Sequence, residues 1–263
     1  MKDGLFSPDD VTWRIHAGPS MLIGGMRALL IQALHPLAMA GVQQHSDYKA
    51  DPWGRLQRTA DYVLTTTYGS RSQAEGAGAA VQAIHSRVRG VDPVTNKPYR
   101  ADDPELLVWV HAVEVHSFLA AYRRYGGRLT DEEADRYVTE QVRTAALVGL
   151  EGDIVPASLA ALRAYLQGVE GLRASTYSRA AAKIVLNPPL PLPLRFLQPF
   201  AWIPGAAAAG LMPRRLRTMQ GIPYVPPADA AVQVAAMAFT RTLGLLPDPP
   251  QVRQARARWA NAA

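Results

Sequence analysis

The sequence predicts an all-α protein whose helices form a single large domain. Hydrophobic residues make up 48% of the 263 residues but aromatic residues only 8%, so Ala, Leu and Val carry most of the apolar content. This composition favours packed helices over a β-sandwich. Helix start signals recur along the chain, and no segment shows the strict apolar–polar alternation of a strand. Charged residues at 19% give the balance of a folded globular protein.

The most hydrophobic run, residues 21–42, predicts a buried helix. Arg27, Gln32 and the pair His35-Pro36 interrupt it, and a charge at such a position is costly in lipid. The preceding stretch MKDGLFSPDDVTW lacks the apolar segment of a signal peptide. We therefore expect a cytoplasmic protein without a transmembrane span.

Capping signals mark the starts of the later helices. Asp51-Pro52 and Asp103-Pro104 each place an N-cap before a proline at the first helical position. TDEE at residues 130–133 is a capping box, and Pro156 opens the amphipathic stretch ASLAALRAYL. Together with the buried run, these signals predict helices over residues 20–43, 51–69, 72–90, 102–125, 130–149, 156–171, 174–187, 206–219 and 228–243, and a short basic helix at the end of the chain.

The stretch NPPLPLPLRFLQPFAWIPG, Asn187 to Gly205, cannot form a regular helix because its prolines lack amide donors and block helical turns. Its apolar side chains should pack on the body of the protein or contact a ligand or a membrane surface. We therefore divide the chain into a helical core at residues 1–187, a proline-rich connection at 188–205 and C-terminal helices at 206–263 that pack on the core. The Ala-rich run AAAAG in the last part suits an oligomer interface.

Several absences restrict the function. Without cysteine, the chain cannot form disulfides, zinc fingers, iron–sulfur clusters or a thiolate-ligated haem, so a metal needs His, Asp, Glu or Tyr. No GxGxxG fingerprint, phosphate loop or repeat appears. The formal net charge is +6, but the arginines are scattered and no nucleic-acid motif accompanies them. We therefore predict no nucleic-acid partner.

Three of the six histidines favour ordinary structural positions. His16 and His45 lie near predicted helix ends, and His35 precedes a proline, where a buried imidazole can bond to the backbone that the proline frees. His111 and His116 are five residues apart, about 140° around a helix, so they cannot bind one ion together. His111 stays a possible single ligand if His85 is not the one.

The sixth histidine, His85, has unusual neighbours. Arg89 follows four residues later, on the same face of the predicted helix, and Arg87 lies between them. A nearby cation disfavours protonation and keeps the imidazole neutral, as metal binding requires. The alternative is a solvated helix face that carries a histidine and two arginines.

A second cluster lies in GRLQRTADYV, residues 54–63. Arg55, Arg58 and Thr59 stand at i, i+3 and i+4, so they project from one helix face with only Asp61 nearby to balance their charge. This positive stripe is either a solvated surface or an anion clamp, because arginine forks match carboxylates such as haem propionates.

The two stretches together resemble the motif pair of a known family. GRLQRT followed by IHSRVR is similar to the paired motifs of the rubber oxygenases, also called latex clearing proteins, and of their MpaB-type relatives. The resemblance runs from about His16 to Pro156 and fades after Leu186. The further stretches that agree are GGMRALLIQALHPLAMAGV, DPWGRLQRTADYVLTTTYG, YRADDPELLVWVHAVEVHSFLAAYRR and LTDEEADRYVTEQVRTAALVGL.

The resemblance implies a b-type haem enclosed by the all-α fold, with residues 1–187 as the haem-binding core. In rubber oxygenases a histidine of the second motif is the proximal iron ligand, and His85 matches it. Arg89 matches the arginine four residues later, and Arg55 and Thr59 match the arginine and threonine of the first motif. Rubber oxygenases carry a distal lysine just before that threonine, whereas this chain has Arg58, which cannot easily deprotonate to bind iron. We therefore expect an open or water-bound sixth position, or a different distal contact.

The resemblance also implies a haem-dependent oxygenase that uses dioxygen to oxidise or cleave a carbon–carbon double bond of an apolar, isoprenoid or lipid-like substrate. One neutral imidazole can hold haem iron and leave the sixth position for dioxygen. Arg58 and Thr59 are the candidates for orienting bound oxygen, and Arg55 and Arg89 are the candidates for binding propionates. The carboxylate proposed as a base in rubber oxygenases has no counterpart here, since its position falls in PLAMAG. This departure argues against polyisoprene as the substrate.

Two alternatives stay open at this point. The first is a non-catalytic helical protein that binds haem or a lipid without turnover. The second is a di-iron carboxylate bundle, although such bundles need Glu-x-x-His on two helices and this chain has one reversed pair, His111-x-x-Glu114. Its remaining ligands would be Glu132, Glu133 and Glu140.

Overall fold

The computed structural model describes residues 3–260, and these residues form an all-α fold, as the composition predicts. The strands of the described region are β1 (Arg89–Val91) and β2 (Pro98–Arg100), which pair as one antiparallel hairpin. Its α-helices are α1 (Val11–Ala17), α2 (Ser20–Gln32), α3 (Pro36–His45), α4 (Pro52–Tyr68), α5 (Arg71–His85), α6 (Pro104–Ala121), α7 (Asp131–Leu147), α8 (Leu159–Gly168), α9 (Thr176–Leu186), α10 (Trp202–Gly210), α11 (Arg214–Met219), α12 (Pro226–Leu243) and α13 (Pro250–Ala260). A π-helical turn (Tyr122–Gly126) and two 3-10 segments (Gly152–Ile154 and Leu192–Phe200) connect some of them.

The long apolar run forms two helices, α2 and α3, which are bent by 106° where they meet. Pro36 begins α3, and His35 is its N-cap, with Nδ1 accepting a hydrogen bond of 3.5 Å from the Ala38 amide. The prediction of one helix over residues 20–43 is therefore wrong, because a proline and the residue before it interrupt helical hydrogen bonding. Within residues 3–260, no single helix has the length and apolar content to cross a membrane, and α2 with α3 reaches them only as this bent pair.

The centre of the fold is the packing of α2 along α6. Ile23, Trp109 and Val113 belong to the main buried cluster between them. The two backbones approach closely at Gly24, where a Cβ would lie 2.7 Å from Phe118 Cδ1. Because α6 is apolar on almost every side, nearly all of its faces can be covered by other helices.

The segment after α5 differs from the prediction. The helix expected over residues 72–90 ends at His85, and the chain enters the β1–β2 hairpin. Gly90 disfavours helix, and the turn is fixed by Asp92, whose carboxylate accepts hydrogen bonds from the Val94 and Thr95 amides at 3.1 and 2.8 Å.

The short helix α1 has no counterpart among the predicted elements. Its first amides, those of Val11 and Thr12, donate to the carboxylate of buried Glu140 at 3.0 and 2.7 Å. Glu140 lies on α7, which begins with the predicted capping box of Thr130 and Glu133. A helix of seven residues that is capped from 128 residues away is invisible to a local sequence pattern.

The proline-rich segment contains no α-helix before Trp202, as predicted. Leu192–Phe200 forms a 3-10 segment, and α10 then begins four residues earlier than residue 206. Pro204 falls in the first turn of α10, where its missing amide breaks no helical hydrogen bond. Leu211, Met212 and Pro213 separate α10 from α11, so the helix predicted over residues 206–219 is two helices.

Candidate active site

The two sequence motifs meet because α4 and α5 form a helical hairpin. The helices pack against each other, and only Gly69 and Ser70 separate them. Arg55 lies in the first turn of α4 and His85 is the last residue of α5, so the two residues stand at the same end of the hairpin. Ser70 fixes the turn through a capping box with Gln73.

His85 is a half-buried histidine with an unsatisfied ring nitrogen. Its Nδ1 is buried and has no hydrogen-bond partner within the described residues. Burial lowers the pKa of His85, and the charge of Asp102 opposes this effect. The ring is therefore neutral at neutral pH, and a neutral imidazole is the form that binds a metal.

Arg89 does not share a helix face with His85. Arg89 begins β1, is exposed, and donates a hydrogen bond to the Ser86 carbonyl. Arg87 is also exposed, in the turn between α5 and β1. The predicted geometry of the pair is wrong because the helix ends first, and the neutral state of His85 comes from burial rather than from a neighbouring cation.

Arg55 is half-buried and carries an uncompensated charge. Its guanidinium forms no hydrogen bond or ion pair with any residue in the range 3–260. Burial lowers the pKa of Arg55, and nearby Tyr48 opposes that shift. A guanidinium held in this state favours an anionic ligand, because a carboxylate would supply both the missing charge and two acceptors.

The other two residues of the α4 motif are exposed. Arg58 forms an ion pair of 3.3 Å with Asp51, the N-cap of α4. The Thr59 hydroxyl donates to the Arg55 carbonyl at 3.0 Å, which leaves its oxygen free to accept a further hydrogen bond. Thr59 lies on the same face as Arg55, whereas Arg58 is committed to the helix cap.

The face of α4 that carries Arg55 and Thr59 continues to Tyr62, seven residues after Arg55. Tyr62 packs against a cluster that includes Val115 and Phe118 of α6. The close helix contacts of α4 are with α1, α5 and α13 rather than with α6. Tyr62 therefore connects this face of α4 to the apolar cluster around α6.

Two polar side chains of α6 are partly buried. His111 and Glu114 lie one turn apart on a helix that is otherwise largely apolar. Burial lowers the pKa of His111 to about 4 and raises the pKa of Glu114 to about 7. Both side chains nevertheless keep accessible surface, and neither forms a hydrogen bond or ion pair with another described residue. We infer that both line an internal cavity.

A buried polar chain lies on the other side of Glu114. The charge of Glu114 adds to the effect of burial in raising the pKa of Tyr62 and of Tyr137. The Tyr137 hydroxyl is 3.0 Å from His16 Nε2, and His16 Nδ1 is 2.8 Å from Thr67 Oγ1. Burial lowers the pKa of His16 to about 3, so its ring is neutral. Tyr62 of α4 and Tyr137 of α7 therefore lie near the Glu114 carboxyl group, and hydrogen bonds lead from Tyr137 to His16 of α1 and on to Thr67 of α4.

The di-iron alternative is wrong. Glu133 caps α7 and pairs with Arg14 at 2.7 Å, and Glu140 accepts the first amides of α1. Glu132 is exposed. Residues 3–260 contain no group of three or more His, Cys, Asp or Glu side chains that could hold a metal ion. A haem needs only one protein ligand, so this finding leaves the haem prediction intact.

Glu114 is predicted from the sequence only as an iron ligand, and its position as a partly buried carboxyl group without a partner is not predicted. The available signal was a carboxylate inside a helix that is apolar on all sides, since such a group is buried without an obvious partner. His116, on the same helix, has its pKa lowered to about 3 by burial and by the charges of Arg27 and Arg163.

Comparison with known proteins identifies one family. The model of the family described as "ER-bound oxygenase mpaB/B'/Rubber oxygenase, catalytic domain" matches residues 13–243. The match confirms the resemblance found in the two motifs and extends it through α12. No curated protein and no solved structure matches the chain.

Proposed function

The chain belongs to the MpaB/rubber oxygenase family, and from this premise we propose that it is an oxygenase that depends on haem b. Its reaction is the dioxygen-dependent oxidation or cleavage of a carbon–carbon double bond. Its substrate is an apolar, isoprenoid or lipid-like molecule. The coarser statement, that the family is one of oxygenases, comes from the family match itself.

The observation that carries the haem proposal is the state of His85. Its ring is neutral, and its buried Nδ1 has no partner among the described residues. Such an imidazole fits a single axial ligand of haem iron. A haem bound here would supply redox-active iron for the activation of dioxygen.

Arg55 fits the role of propionate partner. Its guanidinium stands at the same end of the α4–α5 hairpin as His85 and lacks a carboxylate partner. A propionate would form an ion pair with this partly buried arginine and neutralise its charge. Arg89 is exposed on β1 and would contribute only at the edge of the site.

Glu114 fits the role of a proton reservoir in the cavity. With a pKa of about 7, its carboxyl group exchanges a proton near neutral pH, as a general acid or base must. Tyr62 and Tyr137 border the group and keep their protons. Thr59, whose hydroxyl oxygen can still accept, would orient a polar ligand on the α4 side.

The first experiment is the absorption spectrum of the full chain, expressed with a haem supply, beside His85→Ala. We expect a Soret band in the wild type and its loss or shift in the variant. His45→Ala is the matched control, because His45 is an exposed histidine at the end of α3. A band that survives in His85→Ala and is lost in His111→Ala would assign the ligand to α6, and a wild type without a band would refute haem binding.

Oxygen uptake with a panel of alkenes and terpenoids then tests turnover. We expect uptake that depends on substrate, and a lower kcat for Glu114→Gln at unchanged Soret absorbance. A haem-loaded protein that consumes no oxygen with any substrate would favour the non-catalytic binding protein.

A further inference from the structure

One stretch of 58 residues, 171–228, contains no aspartate or glutamate. It covers α9, the 3-10 segment Leu192–Phe200, α10 and α11. Arg217 is buried and paired with Asp229 at 2.8 Å. The six other basic residues of the stretch are exposed and form no ion pair with a described residue. These residues are Arg173, Arg179, Lys183, Arg195, Arg214 and Arg215.

The 3-10 segment in the middle of this stretch presents apolar side chains to solvent. Leu192, Phe196 and Phe200 are 80%, 74% and 59% exposed. Leu197 and Trp202 add further exposed apolar surface at 41% and 43%. These large side chains lie on a segment of nine residues and on the start of the next helix. Together they form an exposed apolar patch, which is typical of an interaction surface.

The segment is held in this conformation by its own polar groups. The Gln198 side chain accepts from the Leu190 amide at 2.8 Å and donates to the Asn187 side chain and the Pro188 carbonyl, both at 3.1 Å. These bonds connect Gln198, near the end of the segment, to residues 187–190, which precede it. The apolar side chains therefore point outward from a closed loop, and they do not need to refold in order to meet a partner.

The basic residues flank this loop. Arg179 and Lys183 are four residues apart on α9, which leads directly into the loop. Arg179 also lies beside Gly221, just after α11, which begins with Arg214 and Arg215.

We propose that this surface, the loop of residues 187–202 with its basic flanks, docks on an anionic lipid bilayer. Phenylalanine, leucine and tryptophan side chains beside arginines are the composition of segments that insert into the boundary between headgroups and acyl chains. The unpaired cations supply attraction to anionic headgroups. A second copy of the chain is a poorer occupant, because a two-fold interface would bring the same cations face to face. The proposal does not depend on haem binding.

The test is co-sedimentation of the full chain with vesicles of phosphatidylcholine alone and of phosphatidylcholine with phosphatidylserine. We expect binding to the anionic vesicles that weakens as salt is raised. Phe196→Ser combined with Phe200→Ser should weaken binding roughly tenfold or more, from the lost insertion of two aromatic rings. Arg179→Gln combined with Lys183→Gln should lower affinity for anionic vesicles and leave binding to neutral vesicles unchanged.

Ile154→Ser is the matched control, because Ile154 is a 51% exposed apolar residue that stands beside Asp153. Its vesicle binding should equal that of the wild type. The proposal is overturned if the wild type binds neither vesicle, or if the Phe196 and Phe200 variant binds as well as the wild type. A wild-type dimer in light scattering that the same variant dissociates would also overturn it, in favour of an interface between copies. Soret absorbance, measured in parallel, reports on the haem site separately.

Discussion

Glutamine in place of Glu114 should remove a pH-dependent loss of stability. In the folded protein, the pKa of Glu114 is raised from its ordinary 4.5 to about 7 by burial. At a pH between these two values, the folded state keeps a proton on Glu114 that the unfolded state releases. The contribution of Glu114 to stability is therefore complete below the unfolded pKa and is lost as the pH rises through the folded pKa. The loss approaches about 3 kcal/mol, since a tenfold change in proton affinity corresponds to about 1.4 kcal/mol.

The assay is urea unfolding of wild type and Glu114→Gln from pH 5 to pH 8, followed by tryptophan fluorescence. The two proteins should be about equally stable at pH 5, and the variant should be more stable by about 2–3 kcal/mol at pH 8. The groups around Glu114 do not interfere, because the pKa of His111 is about 4 and those of Tyr62 and Tyr137 are raised. The exposed Glu132→Gln is the control and should show no such pH trend. A difference between wild type and Glu114→Gln that stays constant with pH would refute the buried, proton-exchanging carboxyl group.

Three further predictions test the packing and the site. Gly24→Ala should destabilise the fold by about 1–3 kcal/mol, because its Cβ would lie 2.7 Å from the nearest carbon of α6. In contrast, Gly76→Ala should stabilise the fold by about 0.5–1 kcal/mol, because the Cβ would lie in open space on α5. Thermal melting that ranks the two glycine variants in the opposite order would contradict this packing. Glu140→Gln should lower the free energy of unfolding in urea by about 1.5–3 kcal/mol, because the side chain would cap α1 more weakly. An unchanged free energy of unfolding would refute this role of Glu140. Arg55→Met should lower haem retention on gel filtration while Arg58→Met keeps it, and equal retention would exclude Arg55 as the propionate partner.

The sequence is sufficient to predict that the two motifs lie at the same end of a helical hairpin. Residues 55 and 85 are nearly equidistant from the break at Gly69-Ser70, and the predicted helices on either side were placed within a few residues of their observed bounds, apart from the end of α5. A short turn between two amphipathic helices brings such positions to the same end. The error at Arg89 arose because strand pairing with Arg100 is a non-local interaction, and local helix signals do not contain it.

The environment of a polar residue was harder to predict than its position. Helical spacing places His111 and Glu114 on one face of α6, but spacing does not say whether that face meets a partner or a cavity. The same limit applies to Glu140, a buried carboxylate that is fully satisfied by the amides of α1. The two glutamates therefore differ in their partners, since only Glu140 meets a helix end.

This difference explains why Glu114, rather than Glu140, is available for chemistry. The Glu140 carboxylate accepts the first two amides of α1 and is committed to the fold. A carboxyl group without partners holds its proton until neutral pH and can exchange it with a ligand in the cavity. The helical body tolerates this unsatisfied group because α6 is anchored by apolar packing on its other faces. The apolar fold thus carries a neutral imidazole at His85, an unpaired guanidinium at Arg55 and an exchangeable proton at Glu114, and these are the groups that the proposed oxygenase would use.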